Sequence, residues 1–334
     1  MTLNTVIDLT QKISAVLSIF LNCFLTFLII CKSPKQLGSY KYLMLYISWF
    51  EIIYSILDVI TSPVMFSHGS ILVSIVYIKN SKIADWVALI LNSVYCSFCG
   101  ISMGMFGINF IYRYFVSTGS KYLKTFNGFK IIFWMMIPVV YGLIWGFIAY
   151  VILGPSKEID EQLSEPLMLT FGWEIQDISY VGAYFYQIQS DGSLIIDYKS
   201  VVSVSITFAI VFSSFLVMCF CGIRCYIKIN TLLNITNKHN FSTQSKNLQS
   251  QLFYALVTQT IIPVILMHFP VSTVFVFTFL DKDLGFLSGI TSITIALFPA
   301  LDPIPAMFII KSYRKSIFGF FKITKVKSIQ IPRN

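Results

Sequence analysis

The sequence predicts an all-α membrane protein, a seven-transmembrane helix bundle with its N-terminus outside and its C-terminus cytoplasmic, on three observations. Of 334 residues, 56% are hydrophobic and 12% charged, with mean hydropathy +0.76, which leaves too little polar surface to cover a soluble globule. Apolar windows of about 20 residues, enough to cross a hydrocarbon core of about 30 Å, recur over 9–31, 42–66, 87–115, 129–153, 201–229, 252–280 and 284–310. Finally, 18 of the 24 Lys and Arg fall on alternate connections: three in Cys31 to Lys41, four from Arg113 to Lys130, four from Arg224 to Lys246 and seven from Lys311 onward. None of the 15 acids lies there. Basic loops stay cytoplasmic, so an odd span count puts the short N-terminus outside.

The chain divides into a transmembrane domain, 1–310, and a basic tail, 311–334. Its net charge of +9 is an orientation signal facing membrane lipid rather than a nucleic-acid footprint, because the basic residues are dispersed among short loops flanking apolar spans. The first apolar run follows a polar start without a basic leader, so no cleavable signal is expected. Seven cysteines lie within spans or at their inner ends, which suggests neither a disulfide framework nor a metal site. Cys221 and Cys225 offer positions for palmitoylation at the inner face.

Span one carries Asn22, whose amide must find a partner in hydrocarbon; Asp58, Asp302 or its own helix would serve. In span two, Ser48, Glu51, Ser55, Asp58 and Ser62 recur at helical spacing and form one polar stripe. Each carboxylate would cost about 2.5 to 3.5 kcal/mol against lipid, so the stripe faces protein or water. No span interior supplies a Lys or Arg to Glu51, Asp58 or Asp302, which must be protonated, hydrated or share a small cation. Pro63 is expected to kink the outer end of this span. Ile71 to Ile78, β-branched and too short to span, reads as a strand or lid over the bundle mouth.

Span three runs through Tyr95, Phe98 and Met103 to Tyr112, Arg113 and Tyr114. Arg113 either snorkels to headgroups or reaches a partner's carbonyls or carboxylates. The Met and aromatic run serves packing, or the adaptable wall of a small apolar ligand's pocket. The second outer loop, Gly154 to Tyr198, is long for a structureless connection and is expected to fold over the bundle. It holds eight acids against Lys157, and no cysteine. Span five ends at Arg224 and Lys228, and the third inner loop, with Lys246, is a short basic docking surface. The sequons at Asn234 and Asn240 are then cytoplasmic and stay bare.

Span six has Gln259, Pro263, His268 and Pro270, and Pro263 is a candidate hinge. His268 is a hydrogen-bonded wall residue or a ligand contact; with no second histidine near it, it is no metal ligand. In span seven, Pro299, Pro303 and Pro305 lack amide donors around Asp302, so the helix should loosen at that acid. Beyond it, Tyr313, Ile317, Phe318, Phe320 and Phe321 alternate with Lys311, Arg314, Lys315 and Lys322, an amphipathic helix for the inner membrane surface.

FEIIYSILDVITSP (Phe50 to Pro63), INFIYRYF (Ile108 to Phe115), LQSQLFYALVTQTIIP (Leu248 to Pro263), PALDPIPAMFIIKSYR (Pro299 to Arg314) and YVGAYFYQ (Tyr180 to Gln187) resemble the signature blocks of the nematode Str-type serpentine chemoreceptors, which are G-protein-coupled receptors. The likeness covers nearly the whole chain. It implies a multi-pass plasma-membrane receptor, in the ciliary membrane of chemosensory neurons, that binds a small-molecule or peptide cue and activates a heterotrimeric G protein without cofactor, metal or catalysis. Tyr112, Arg113, Tyr114, Arg224, Lys228 and Lys246 would then face the G protein, Tyr95, Phe98, Met103 and His268 the cue. Asn22, Glu51, Asp58, Pro263, Asp302 and Pro303 would form the switch between them. Two departures stand out: no acid precedes Arg113 to form an inner lock, and the second outer loop lacks the cysteine that usually tethers it to span three. The rival reading is a proton- or cation-coupled transporter or channel built on Glu51, Asp58 and Asp302, against which stands the lack of internal repeats. An intramembrane enzyme is more distant still, since His68, His239 and His268 lie in three different segments.

Overall fold

The computed structural model describes residues 3–79, 81, 83–188, 193–234, 243–285 and 287–327. Seven helical stretches in it are long and apolar enough to cross a membrane: Leu3–Lys32, Tyr40–Thr61, Asp85–Thr118, Gly128–Ile152, Tyr198–Thr231, Asn247–Phe279 and Leu287–Ile309. The first, third, fifth and sixth outrun their apolar windows because a helix continues into interfacial residues that hydropathy scores poorly, whereas the second and seventh stop short of theirs. Val16, Phe20, Phe133, Leu143, Phe212 and Phe269 are each more than 60% exposed. That many bare apolar side chains suit a hydrocarbon solvent and no other.

In chain order, α1 (Leu3–Lys32) lies along α2 (Tyr40–Thr61). At the far end of α2, Ser62 takes a left-handed conformation with φ 40°. Pro63 therefore lies beyond the helix, in the link to a new element, instead of kinking the old one, a correction to the expectation from sequence. That element is a hairpin, β1 (Val64–His68) and β2 (Ile71–Tyr77), turned at Gly69 with φ 53°. Next come α3 (Asp85–Thr118), the central helix, and α4 (Ile131–Phe147), which continues as a π-turn to Ile152. These two approach closely because Gly100 and Gly104 on α3 make room for Trp145, Tyr141 and Pro138 of α4, while Gly142 on α4 makes room for Ile101, which a Cβ there would strike. Small residues four apart let membrane helices touch along their backbones.

The second long loop does fold over the bundle. It forms α5 (Lys157–Phe171) and β3 (Ile178–Tyr184), followed by a short hairpin of β4 (Tyr186–Ile188) and β5 (Leu194–Ile196). Strand β3 adds to β2 antiparallel, from Ile71 opposite Tyr184 to Tyr77 opposite Ile178. Ser156 caps α5, accepting from the Ile159 amide, and Gly172 ends it at φ 70°. Ile159, Leu163 and Leu167 recur every four residues and are buried against Phe66, Val73, Ile75 and Tyr180 of the sheet. Each such burial contributes about 1.5–3 kcal/mol. The Tyr180 hydroxyl donates to Asp160 at 2.7 Å, and burial first, then that acid, holds the phenol well above its ordinary range.

Among the described residues no disulfide fastens this lid. Hydrogen bonds stitch it to the helices instead. Ser74 of β2 donates to the Asn92 side-chain oxygen (2.8 Å) while the Asn92 amide donates to the Ser74 carbonyl (2.7 Å). Ser292 and Ser288 take the Met65 and Ser67 amides.

The chain continues through α6 (Tyr198–Asn234) and α7 (Thr243–Pro263), a π-turn over Val264–His268 and α8 (Phe269–Phe279). The last span is split into α9 (Leu287–Leu301) and α10 (Pro303–Ile309), broken at Asp302. Helix α11 (Lys311–Lys327) folds back at the end opposite the sheet. There Tyr313 is fully buried and within 2.7 Å of the Ser33 hydroxyl, and burial pushes its phenol up to about 12. The side chains of Phe320, Phe321 and Lys322 lie outside the described residues, as do the Asn234 side chain, Asn240 and the third inner loop's His239.

Candidate functional site: a capped cavity, a polar clasp and a latched arginine

Beneath β3, at the sheet end of the bundle, is a cavity of about 90 Å³ walled by Tyr54, Tyr95, Cys96, Cys99, Trp145 and Met267 among others. A smaller one, about 20 Å³, adjoins it across Cys99 and Trp145 and reaches His268. The close α3–α4 approach sets Trp145 in this wall, since a Cβ at Gly100 would stand 2.9 Å from its ring. No Asp, Glu, Lys or Arg lines either cavity among the described residues, so a charged guest would be desolvated without a counter-ion.

Of the four residues expected around a ligand, Tyr95 lines the larger cavity and His268 the smaller. Phe98 and Met103 do not. Phe98 stacks on Tyr54 at 5.2 Å and on Phe50 at 4.9 Å, and Met103 is 1% exposed inside the same core. Packing thus claims both, a correction to their placement at the ligand. Asp58 lies just below, where Gln11 reaches its carboxyl at 3.5 Å and the Pro63 carbonyl at 3.2 Å.

Farther along the bundle axis lies a polar clasp that follows from the prolines. In a helix the Pro299 carbonyl should accept from the amide of residue 303, but Pro303 has none. Asn22 fills the gap, donating to that carbonyl at 3.1 Å, with Ser18 at 3.3 Å. The expectation for Asn22 was Asp58, Asp302 or a group on its own helix; the Ser18 hydroxyl is such a group, and the orphaned carbonyl takes the place of both acids. Asp302 is fully buried, and Gln259 of α7 donates to its carboxyl (3.0 Å) and its carbonyl (3.1 Å). Glu51, 1% exposed, lies close to Asp302 and Asn22, yet neither carboxyl oxygen reaches hydrogen-bond geometry. The switch residues therefore separate. Asn22, Glu51, Asp302 and Pro303 meet in the clasp, Asp58 pairs with Gln11 outside the cavity lining, and Pro263 ends α7 just ahead of the π-turn.

At the tail end, Arg113 neither snorkels nor faces outward. It is 2% exposed, with its guanidinium 3.4 Å from the Tyr40 ring centroid and Nη1 donating to Gln249 at 2.9 Å. Tyr112, stacked on Tyr40 at 5.4 Å, is buried behind it. The Nε and Nη2 groups are buried without partners. An aromatic face and a neutral amide thus stand where an acid would otherwise hold the arginine. Arg224 and Lys228 are exposed on the same end and Tyr114 is half-buried; the Lys246 side chain lies outside the described residues. Tyr40, Gln249, Gln259 and Trp145 escaped notice in the sequence as site residues. Glycines four apart at Gly100–Gly104 and Gly142–Gly146 were the readable signal for Trp145; for Tyr40 and Gln249 nothing local marks the contact.

A protein-family model described as serpentine type 7TM GPCR chemoreceptor Str matches residues 7–318. The chain is similar to the G-protein coupled receptor str-217 of Caenorhabditis elegans, 37% identical over 310 residues that cover 93% of this chain and 88% of that protein. It is also similar to serpentine receptor class r-10 of Caenorhabditis briggsae, 28% identical over 336 residues, 99% of this chain and 94% of the relative. Serpentine receptor class J-38 of Caenorhabditis elegans is 21% identical over 328 residues, 96% and 94% of the two chains.

Proposed function

Because the chain belongs to the Str family of serpentine seven-transmembrane G-protein-coupled chemoreceptors, multi-pass proteins of the plasma membrane, we propose that it binds a small uncharged cue in the cavity under the sheet and activates a heterotrimeric G protein at the opposite end. The basic loops and tail support a cytoplasmic α11 end, with the acidic sheet end outside.

One observation carries this reading: a single span makes all three polar contacts. His268 meets Cys99 and Ser102 beside the cavity, Gln259 holds Asp302 in the clasp, and Gln249 holds Arg113. A guest that shifts the His268 end therefore biases the Gln249 end, provided it binds the released arrangement more tightly than the latched one. Release frees Arg113 for a partner's carbonyls, with Tyr112 and Tyr114 beside it and Arg224, Lys228 and Lys246 on the approach.

The experiment is nucleotide exchange on G proteins in cells expressing the chain, screened against mixtures of volatile and water-soluble cues. A cue-dependent signal is expected, and Arg113→Ala should abolish it while surface expression holds. Exchange undiminished in that variant would remove Arg113 from the mechanism.

A further inference from the structure

Neither the clasp nor the arginine latch uses the thiol and imidazole beside the cavity. Cys99 lines both cavities, and its Sγ lies 3.6 Å from His268 Nδ1. Across the ring, Nε2 is 3.4 Å from Ser102 Oγ. The Ser102 hydroxyl has one proton, and the Cys99 carbonyl at 2.8 Å takes it in preference to the Met267 sulfur at 3.9 Å. The Ser102 oxygen is then left to accept from Nε2–H, and Nδ1 presents its lone pair to the thiol. A thiol donating to an oriented imidazole is a nucleophile beside its base.

A second, independent observation comes from Tyr95, one turn before Cys99 on the same face of α3. The residue lines the larger cavity, and its hydroxyl is buried without a hydrogen-bond partner; Tyr54 and Asp58 lie near without reaching bonding geometry. A buried donor of this kind calls for an acceptor. The cavity's 90 Å³ has room for about three waters at about 30 Å³ each, and its walls are uncharged.

We propose that the cavity takes a small α,β-unsaturated aldehyde or ketone, which Cys99 captures as a thioether while Tyr95 holds its carbonyl oxygen and His268 carries the proton. The proposal rests on the receptor reading only in that both use this cavity. Sγ attacks the β-carbon, so an S–C bond forms as the C=C π pair shifts to join the α-carbon to the carbonyl carbon and the C=O π pair moves onto the oxygen, against the Tyr95 hydroxyl. The thiol proton passes to Nδ1 and from there to the α-carbon as the carbonyl re-forms. The sum is addition of S–H across C=C, with no leaving group and no oxidant. Reactants and product are neutral, so the apolar walls do not oppose the overall addition. Cys96, in the same wall, has only the Asn92 oxygen at 4.0 Å and no imidazole, which makes it an internal control.

The test uses the full chain in lipid nanodiscs exposed to but-2-enal, with saturated butanal alongside, followed by borohydride reduction and peptide mass mapping. The aldehyde is expected on Cys99 ahead of Cys96 and of the exposed Cys23, Cys31 and Cys219. The rate at Cys99 should fall on the order of 100-fold in His268→Gln and in Tyr95→Phe, with thermal unfolding of both variants confirming the fold. Labelling of Cys99 no faster than of the exposed thiols, or insensitive to both variants, overturns the proposal. Nucleotide exchange driven equally by butanal with Cys99 unmodified also overturns it and leaves the receptor reading standing; selective capture at Cys99 without nucleotide exchange upholds the chemistry and counts against that reading.

Discussion

At the scale of single residues, the proposed function makes the buried Arg113 the group that decides how the chain rests. A guanidinium desolvated against Tyr40 is worth about 2 kcal/mol, and removing that much from one of two states shifts their ratio roughly 30-fold. Tyr40→Ala should therefore raise cue-independent nucleotide exchange, and Gln249→Ala should do so in the same direction. Basal exchange at or below that of the unmodified chain, at matched surface levels, would show that the arginine is merely stored there. Sequence alone left Arg113 between snorkelling and partner contact. Its true surroundings come from α2 and α7, 73 and 136 positions away, and no local pattern marks a tyrosine that will stack on a distant arginine.

At the scale of elements, the broken last span shows what sequence does and does not disclose. Three prolines around Asp302 were enough to predict a weakened helix, and the break falls on that acid. The repair was not legible, because the orphaned Pro299 carbonyl becomes visible only when α1 lies beside it and Asn22 can reach it. Likewise, Pro63 reads as a kink until the left-handed Ser62 before it turns the chain into a strand. The clasp gives its own prediction. Gln259→Ala leaves the fully buried Asp302 without its donor, at about 1–3 kcal/mol, so the unfolding temperature in detergent should drop and Gln259→Glu should not restore it. An unchanged melt would mean that water replaces the amide.

At the scale of the whole molecule, the seven spans were legible because hydropathy and loop charge are one-dimensional signals, whereas the lid is a long-range object. The run Ile71 to Ile78 announced a strand, and Ile159, Leu163 and Leu167 carried a helical period inside a loop dominated by its acids. Their partnership depended on Ile178–Tyr184, about a hundred residues on. Two substitutions probe it. Leu163→Ala opens a void between helix and sheet and should cost about 2–5 kcal/mol, read as faster proteolysis of the loop. Gly182→Val would press a side chain onto Val73, whose Cγ1 already lies 2.4 Å from the Cβ position, and should abolish cue responses while the seven spans still insert. The order in which the lid is assembled has a consequence for synthesis. Strand β2 leaves the ribosome with α3, α4 and α5 still to be made, so its bonding edge stays open until β3 arrives and two more helices have entered the membrane. Chains halted before Ile178 carry that bare edge, and quality control should retain them, whereas chains halted after Tyr184 should pass that checkpoint and remain untroubled by reductant.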